Sequence, residues 1–326
     1  MKAIQIHQAG APDVLTYEDT QQPTPKKDQV LVRMISASVN WADVMVRKGI
    51  YPGMPAWPVI PGIDGAGVVE SVGNQVSNLK PGQNVLILGQ KCYADYTVVN
   101  SRSVWPIPDG IDMDEAAALP VNYLTAYHMM HTVARMQPEE TLVIYAAAGG
   151  VGTAVIQLGK LAGVTVIGLT SSEEKARFTR EQGIDHIINY KTEDVLEKIK
   201  DITNGKGVNV ILNSVAGNTF DRDFEALAPL GQIIWFGMAA GLPEGDLGKQ
   251  LGVGFAKSAG IRTFMVFNVM DLDPGLMTRS VETLFDYLGG NKIKPHIYES
   301  IPLSEAARAH QILESGAVSG KLILKP

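Results

Sequence analysis

The chain has 326 residues, 45% hydrophobic and 19% charged, with a net charge of -6. That length exceeds one ordinary compact core, so two domains are expected. Twenty-eight basic against 34 acidic residues, with no Lys/Arg cluster, argue against nucleic acid as a partner. The single cysteine, Cys92, excludes an internal disulfide and a multi-cysteine zinc site. The start MKAIQIHQAGAPDVL lacks the marks of a secretory leader, so a cytoplasmic protein is expected.

Residues 1–118 carry short strand patterns, QVLVRMISASV, GAGVVESVG, QNVLILG and DYTVVN, punctuated by Gly and Pro, which predicts a compact β-rich domain. An uncharged run then spans Thr141 to Gly159, long enough for a membrane helix by length alone. Its pattern argues otherwise. TLVIYAA is β-branched and aromatic, as a buried strand is, and Gly149, Gly150 and Gly152 would weaken a helix passing through them. The run therefore predicts a strand over Leu142–Ala147, a tight turn, and a helix over Val151–Leu161. No membrane partner is expected.

The frame Ala147-x-Gly149-x-x-Gly152 is a dinucleotide-binding fingerprint with Ala in first place. Gly149 lets backbone approach a pyrophosphate, Gly152 lets helix and strand pack closely, and the helix N-terminus offers free N–H groups. The next strand, VTVIGLT over 164–170, ends in Leu169, Thr170 and Ser171, with Lys175 shortly after. Hydroxyls and an ammonium suit a ribose 2′-phosphate, where a carboxylate would have suited a free 2′-hydroxyl, so NADPH is the expected cofactor. HIINY, VNVILNSV, GQIIWFGM and IRTFMVF (261–267) continue the strand alternation. The fold class is thus α/β, a doubly wound parallel Rossmann sheet of about six strands beside the β-rich domain.

The segments SVNWADVMVRKGIY, VIPGIDGAGVVESVGNQV, LKPGQNV, YADY, AAALPVNYLTAY, AAAGGVG, INY and AHQILESGAVSGKLILKP together resemble the zinc-free medium-chain dehydrogenase/reductases of the quinone oxidoreductase, zeta-crystallin-like family. ALPVNYLTAY, FGMA and IKPHI look most like its branch of VAT-1 homologues. The resemblance implies a GroES-like catalytic domain over 1–119 and 268–326 and a Rossmann NADP-binding domain over 120–267. It also implies a homodimer pairing along the edge at 261–267. Where zinc-dependent relatives carry a Cys and a His ligand, this chain has Asn40 and Ile63, followed by Asp64, so no metal is expected. His128 and His131 share a helix face at i and i+3 but read as packing or surface residues.

For chemistry, the resemblance implies hydride transfer to quinones or related α,β-unsaturated carbonyls. The resemblance implies Asn40, Asp43 and Tyr51 as the catalytic candidates lining the cleft, and since developing charge on oxygen needs hydrogen-bond donors, Asn40 can serve through its amide and Tyr51 through its hydroxyl. The implied cofactor contacts are Trp41, Thr125, Gly149, Gly150, Val151, Gly152, Thr170, Ser171, Lys175, Tyr190, Phe236, Gly237, Phe264, Val266 and Lys321. Structural readings stand beside these: Asn40 as a loop anchor, Trp41 and Tyr51 as packing aromatics, Asp43 paired with Arg47 one turn on, and Lys321 as an exposed terminal lysine. Two other functions also fit the sequence: an enoyl-thioester or alkenal reductase, and a non-catalytic NADPH-binding regulator.

Overall fold

A computed structural model describes residues 1–54 and 56–326. The chain divides into two compact units, Met1–Leu124 with Val269–Pro326, and Thr125–Asn268. In chain order the first part holds β1 (Lys2–Gln5), β2 (Thr16–Asp19), β3 (Gln29–Ser38), α1 (Trp41–Arg47), β4 (Asp64–Val72), β5 (Asn84–Leu88), β6 (Tyr96–Asn100), β7 (Val104–Pro106), α2 (Met113–Ala117) and α3 (Pro120–Tyr127). The middle part holds β8 (Thr141–Ile144), α4 (Gly150–Ala162), β9 (Thr165–Thr170), α5 (Glu173–Glu181), β10 (His186–Asn189), α6 (Val195–Ile202), β11 (Val208–Asn213), α7 (Phe220–Ala226), β12 (Leu227–Trp235), α8 (Leu247–Ala256), β13 (Gly260–Thr263) and α9 (Val266–Leu272). The chain closes with α10 (Pro274–Gly289), β14 (Ile297–Pro302), α11 (Ala306–Glu314) and β15 (Lys321–Lys325).

In the first unit, seven strands run in the order β14-β15-β3-β4-β5-β7, with β6 also on β3, while β1 and β2 form a separate antiparallel pair. The β-branched and aliphatic positions of β3 and its neighbours, among them Val30, Val32, Val69, Ile87, Leu322 and Leu324, close one apolar core. Register then decides which polar residues meet. Ile323 pairs with Ser38 and Leu324 with Ala37, antiparallel, and the Val39 N–H donates to the Leu322 carbonyl at 3.0 Å. Continued by one residue on each strand, this register sets Lys321 opposite Asn40. Gly65 pairs with Ala37 on the other flank of β3, which brings Asp64 to the same edge.

The second unit is a parallel sheet in the order β10-β9-β8-β11-β12-β13. Its central strands are largely buried and predominantly apolar, as strands covered on both faces are. Strand order reverses between β8 and β11, so the loops leaving those two strands flank the crevice where open α/β sheets collect ligands.

Two predicted elements end early. β8 stops at Ile144 instead of Ala147, because Ala146 turns into the left-handed region (φ 51°) and carries the chain off the sheet. The last strand stops at Thr263, which pairs with Trp235, the last residue of its only neighbour β12. Phe264 makes one further bond, N–H to the Trp235 carbonyl at 2.9 Å. With no partner strand beyond it, the chain coils into α9 at Val266. The edge predicted over 261–267 is therefore a four-residue strand, and the apolar run TFMVF lies outside it except for Thr263. Among the described residues no helix is long and apolar enough to cross a membrane.

Candidate active site

Asn40 stands between β3 and α1, Asp64 opens β4 and Lys321 opens β15, three strand ends brought together by the register above. Asn40 Nδ2 donates to Asp64 Oδ1 at 2.7 Å, and its Oδ1 accepts from Lys321 Nζ. Lys321 Nζ also reaches Asn122 Oδ1 at 3.4 Å, and Asp64 Oδ2 accepts the Val121 N–H at 3.0 Å. Asp64 is fully buried and Lys321 is 4% exposed, which overturns the reading of Lys321 as an exposed terminal lysine. Burial pushes the Lys321 ammonium down and the Asp64 carboxyl up, and each is the other's largest electrostatic counterweight.

Asp43 locks the start of α1. Its carboxylate accepts the Asn40 N–H at 2.9 Å, the Gly62 N–H at 3.0 Å and the Tyr93 hydroxyl at 3.2 Å. Burial pushes it up to about 7, against the pull of those backbone donors and of Lys321. The intrahelical pair with Arg47 does not form. Arg47 instead donates to Glu314 at 2.7 Å and to the Gly10 carbonyl at 3.1 Å, and its Nη1 lies 3.4 Å from His310 Nδ1. His310 in turn faces the Tyr93 hydroxyl at 3.4 Å, so a chain of polar contacts runs inward from the partly exposed Glu314 to the buried Asp43. Trp41 is half-buried with the Lys48 ammonium over its ring. Tyr51 is half-buried too, its hydroxyl held in the neutral form by burial and by the charge of Asp43. Cys92 is buried, and burial, then the charges of Asp64 and Asp43, raise its thiol well above the ordinary range. It is an inert packing residue.

In the second unit, Gly149 precedes α4 in extended conformation, and no side chain caps the helix. The N–H groups of Gly150, Val151 and Gly152 are left without intrahelical partners. A Cβ on Gly152 would lie 2.4 Å from the Ala147 carbonyl oxygen and 2.6 Å from that of Ala146, so only glycine lets α4 start this close to β8. At the end of β9, Thr170 pairs with Asn189, and the Tyr190 N–H donates to the Thr170 carbonyl at 3.1 Å. This joins Ser171 and Lys175 to Tyr190 and Lys191. Burial, then the charge of Lys191, lowers the Lys175 ammonium, and among the described residues neither lysine has a carboxylate within ion-pair distance. The Thr170 hydroxyl is buried without a hydrogen-bond partner.

Phe236 and Gly237 follow β12, Phe264 follows β13, and all three leave the carboxyl edge of the sheet. A Cβ on Gly237 would meet the Ser214 carbonyl at 2.8 Å. Thr125 is buried on α3. Val266, expected on the last strand, is buried on α9. His128 is fully buried and bonded to Thr132, while His131 packs on Tyr127. No group of three or more metal-ligating side chains occurs among the described residues.

One network was not foreseen. Asn213, the last residue of β11, accepts the N–H groups of Val215 and Ala216 at 2.8 and 2.9 Å and donates to Thr219 and Asp223. Asp223 also accepts from Tyr145, to which Arg222 donates. The group ties together the loops leaving β8 and β11, on either side of the strand-order reversal. An Asn closing the buried apolar run VIL of this strand was the available signal.

The sequence pattern of the alcohol dehydrogenase GroES-like domain matches residues 26–109, and that of the zinc-binding dehydrogenases matches residues 150–279. The quinone oxidoreductase of Pseudomonas aeruginosa is 33% identical over 100% of this chain and 99% of its own. The human synaptic vesicle membrane protein VAT-1 homolog is 33% identical over 93% of this chain and 80% of its own. The crystal structure of Escherichia coli quinone oxidoreductase complexed with NADPH superposes with a TM-score of 0.95 at 30% identity, covering 100% of both chains. A polyketide synthase subunit of Mycobacterium tuberculosis is 31% identical over 98% of this chain, which spans 14% of that subunit's length. By these matches the chain belongs to the quinone oxidoreductase family of the medium-chain dehydrogenase/reductases.

Proposed function

We propose that the protein is an NADPH-dependent, zinc-independent oxidoreductase acting on quinones or closely related α,β-unsaturated carbonyls. The observation that carries the cofactor choice is the end of β9. Two lysines that form no ion pair within 4.0 Å among the described residues, Lys175 and Lys191, stand there beside Ser171, Tyr190 and an unpartnered Thr170 hydroxyl, with the Glu174 charge only partly offsetting burial and Lys191 at Lys175. A 2′-phosphate would relieve the lysines' mutual repulsion and supply the missing acceptors, whereas a free 2′-hydroxyl would leave them unpaired. The N–H groups of Gly150, Val151 and Gly152 suit the pyrophosphate. The cofactor found in the E. coli relative's structure agrees with this fit.

When bound, NADPH supplies a hydride. The chain's own contribution is to hold the acceptor and meet the negative charge that develops on its oxygen. Asn40 is suited to that role through its amide and Tyr51 through its hydroxyl, with Asp43 fixing the backbone turn from which Asn40 projects. The proton then comes from water, since quinone reduction requires no dedicated acid once the hydride has arrived.

The test is NADPH and NADH oxidation against a benzoquinone, an ortho-quinone, an alkenal and an enoyl-CoA, with and without a chelator. Chelator-resistant, NADPH-selective turnover of a quinone supports the reading. Turnover of the enoyl-CoA alone moves it to the thioester reductases, and tight NADPH binding without any turnover moves it to a regulatory protein. We further propose a homodimer joined at the open edge of β13, where, among the described residues, Gly260–Thr263 have no second partner strand. A monomeric mass in light scattering would exclude it.

A further inference from the structure

We propose that Lys321 is a positioning residue that fixes and polarises the Asn40 amide, so that Asn40 always presents an N–H donor to the acceptor oxygen. The proposal rests on the functional reading above for Asn40. Its basis is a buried triad in which the amide stands between two opposite charges. Asn40 Oδ1 accepts from the Lys321 ammonium and Asn40 Nδ2 donates to the Asp64 carboxylate at 2.7 Å, with all three side chains buried.

A buried Lys and Asp serving only the fold would gain most from direct contact. Here no ion pair within 4.0 Å joins Lys321 to Asp64 among the described residues. The amide of Asn40 bridges them instead, and Asn122 Oδ1 and the Val121 N–H hold the two outer charges in place.

Two consequences follow from elementary chemistry. An asparagine amide can be turned over with little change of shape, which would exchange donor for acceptor. Turning Asn40 would set its NH2 against the ammonium and its carbonyl against the carboxylate, so the triad admits one orientation. An ammonium on the carbonyl oxygen also draws electron density from the amide nitrogen and strengthens its hydrogens as donors. Nδ2 carries two hydrogens. One is held by Asp64, and the other has no acceptor among the described residues.

The experiment compares wild type with Lys321→Met, Lys321→Arg and Asp64→Asn, in the presence and absence of Asn40→Ala. Lys321→Met is expected to lower kcat by at least about tenfold with the NADPH dissociation constant nearly unchanged. Lys321→Arg should recover most of that loss. In the Asn40→Ala background, Lys321→Met should cost less than about twofold further, because its effect runs through Asn40.

A second readout needs no turnover. The Asn40 side-chain amide, assigned in 15N-labelled protein by its loss in Asn40→Ala, should shift and exchange faster in Lys321→Met, and to a smaller extent in Asp64→Asn. If Lys321→Met does not fold, Asp64→Asn carries both readouts. An unchanged amide signal, or fully additive losses of kcat, overturns the proposal. So does a loss confined to NADPH affinity, which would make Lys321 a cofactor contact. If wild type turns over none of the acceptors, the functional reading fails, and the amide signal alone still decides whether Lys321 orders Asn40.

Discussion

Around Asn40 almost every polar group has its partner within the same unit: Asp43 accepts three donors, Asp64 two, and Arg47 is matched by Glu314 and a backbone carbonyl. At the end of β9 the opposite holds, with two ammonium groups near one another and a buried hydroxyl unmatched. Closed networks fix geometry at the expense of desolvating charge. Open clusters keep their interaction free energy for a ligand. On the proposed function, the difference separates residues that orient from residues that bind, although both sets are polar and sit at strand ends.

Substitutions can break or sharpen this contrast. The largest effect is expected where backbone itself is displaced. Gly152→Val should destabilise the second unit by about 3 kcal/mol or prevent folding, since the new side chain meets two carbonyl oxygens. Urea denaturation measures it, and a variant as stable as wild type would mean that α4 can move off β8.

Next comes the closed network. Glu314→Gln leaves the buried Arg47 without its carboxylate and should cost on the order of 2–3 kcal/mol of stability, with NADPH affinity unaltered. Arg47, then Lys48, holds the Glu314 carboxyl down to about 2, below its ordinary 4.5. A depressed carboxylate stabilises the fold above its unfolded pKa and loses that contribution as pH falls toward 2. The gap in stability between wild type and Glu314→Gln should therefore be full at neutral pH and close in acid. A gap that widens in acid would reverse the assignment.

The open cluster should behave in the opposite sense. Lys175→Ala is expected to weaken NADPH by about 1.5–3 kcal/mol while leaving NADH nearly unaffected and stability unreduced. Equal weakening of both cofactors, read by fluorescence titration, would remove Lys175 from the 2′-phosphate. The smallest change is Lys191→Ala, whose more exposed ammonium should contribute about 0.5–1 kcal/mol to NADPH binding. An effect on stability instead would place Lys191 with the closed network.

Much of the fold was legible in the sequence, but unevenly. The turn at Gly149–Gly152 was readable because its cause is local: a Cβ on Gly152 collides with carbonyls only five and six residues away. The early ends of β8 and β13 were not: the left-handed turn at Ala146 takes β8 off the sheet although both its neighbours run further, and β13 ends level with its single neighbour β12. Val266 has the residue type of a strand but no partner strand to pair with. The intrahelical pairing of Asp43 with Arg47 had the right spacing, yet better partners lay at Gly62, Tyr93 and Glu314. The Asn213 network was missed because its members are scattered from Tyr145 to Asp223.

By itself the sequence determined the α/β class, the glycine turn that starts α4 close against β8, and the lack of Cys and His at two family metal positions. Each depends on residue identity over a short stretch, where spacing maps directly onto geometry. Tertiary structure alone decided that Lys321 meets Asn40 across 281 positions of chain, through the antiparallel register of β15 on β3. It alone also made a C-terminal lysine the partner of a buried amide. Register is set by the sum of apolar contacts over the whole sheet, and no local pattern at either residue records that sum.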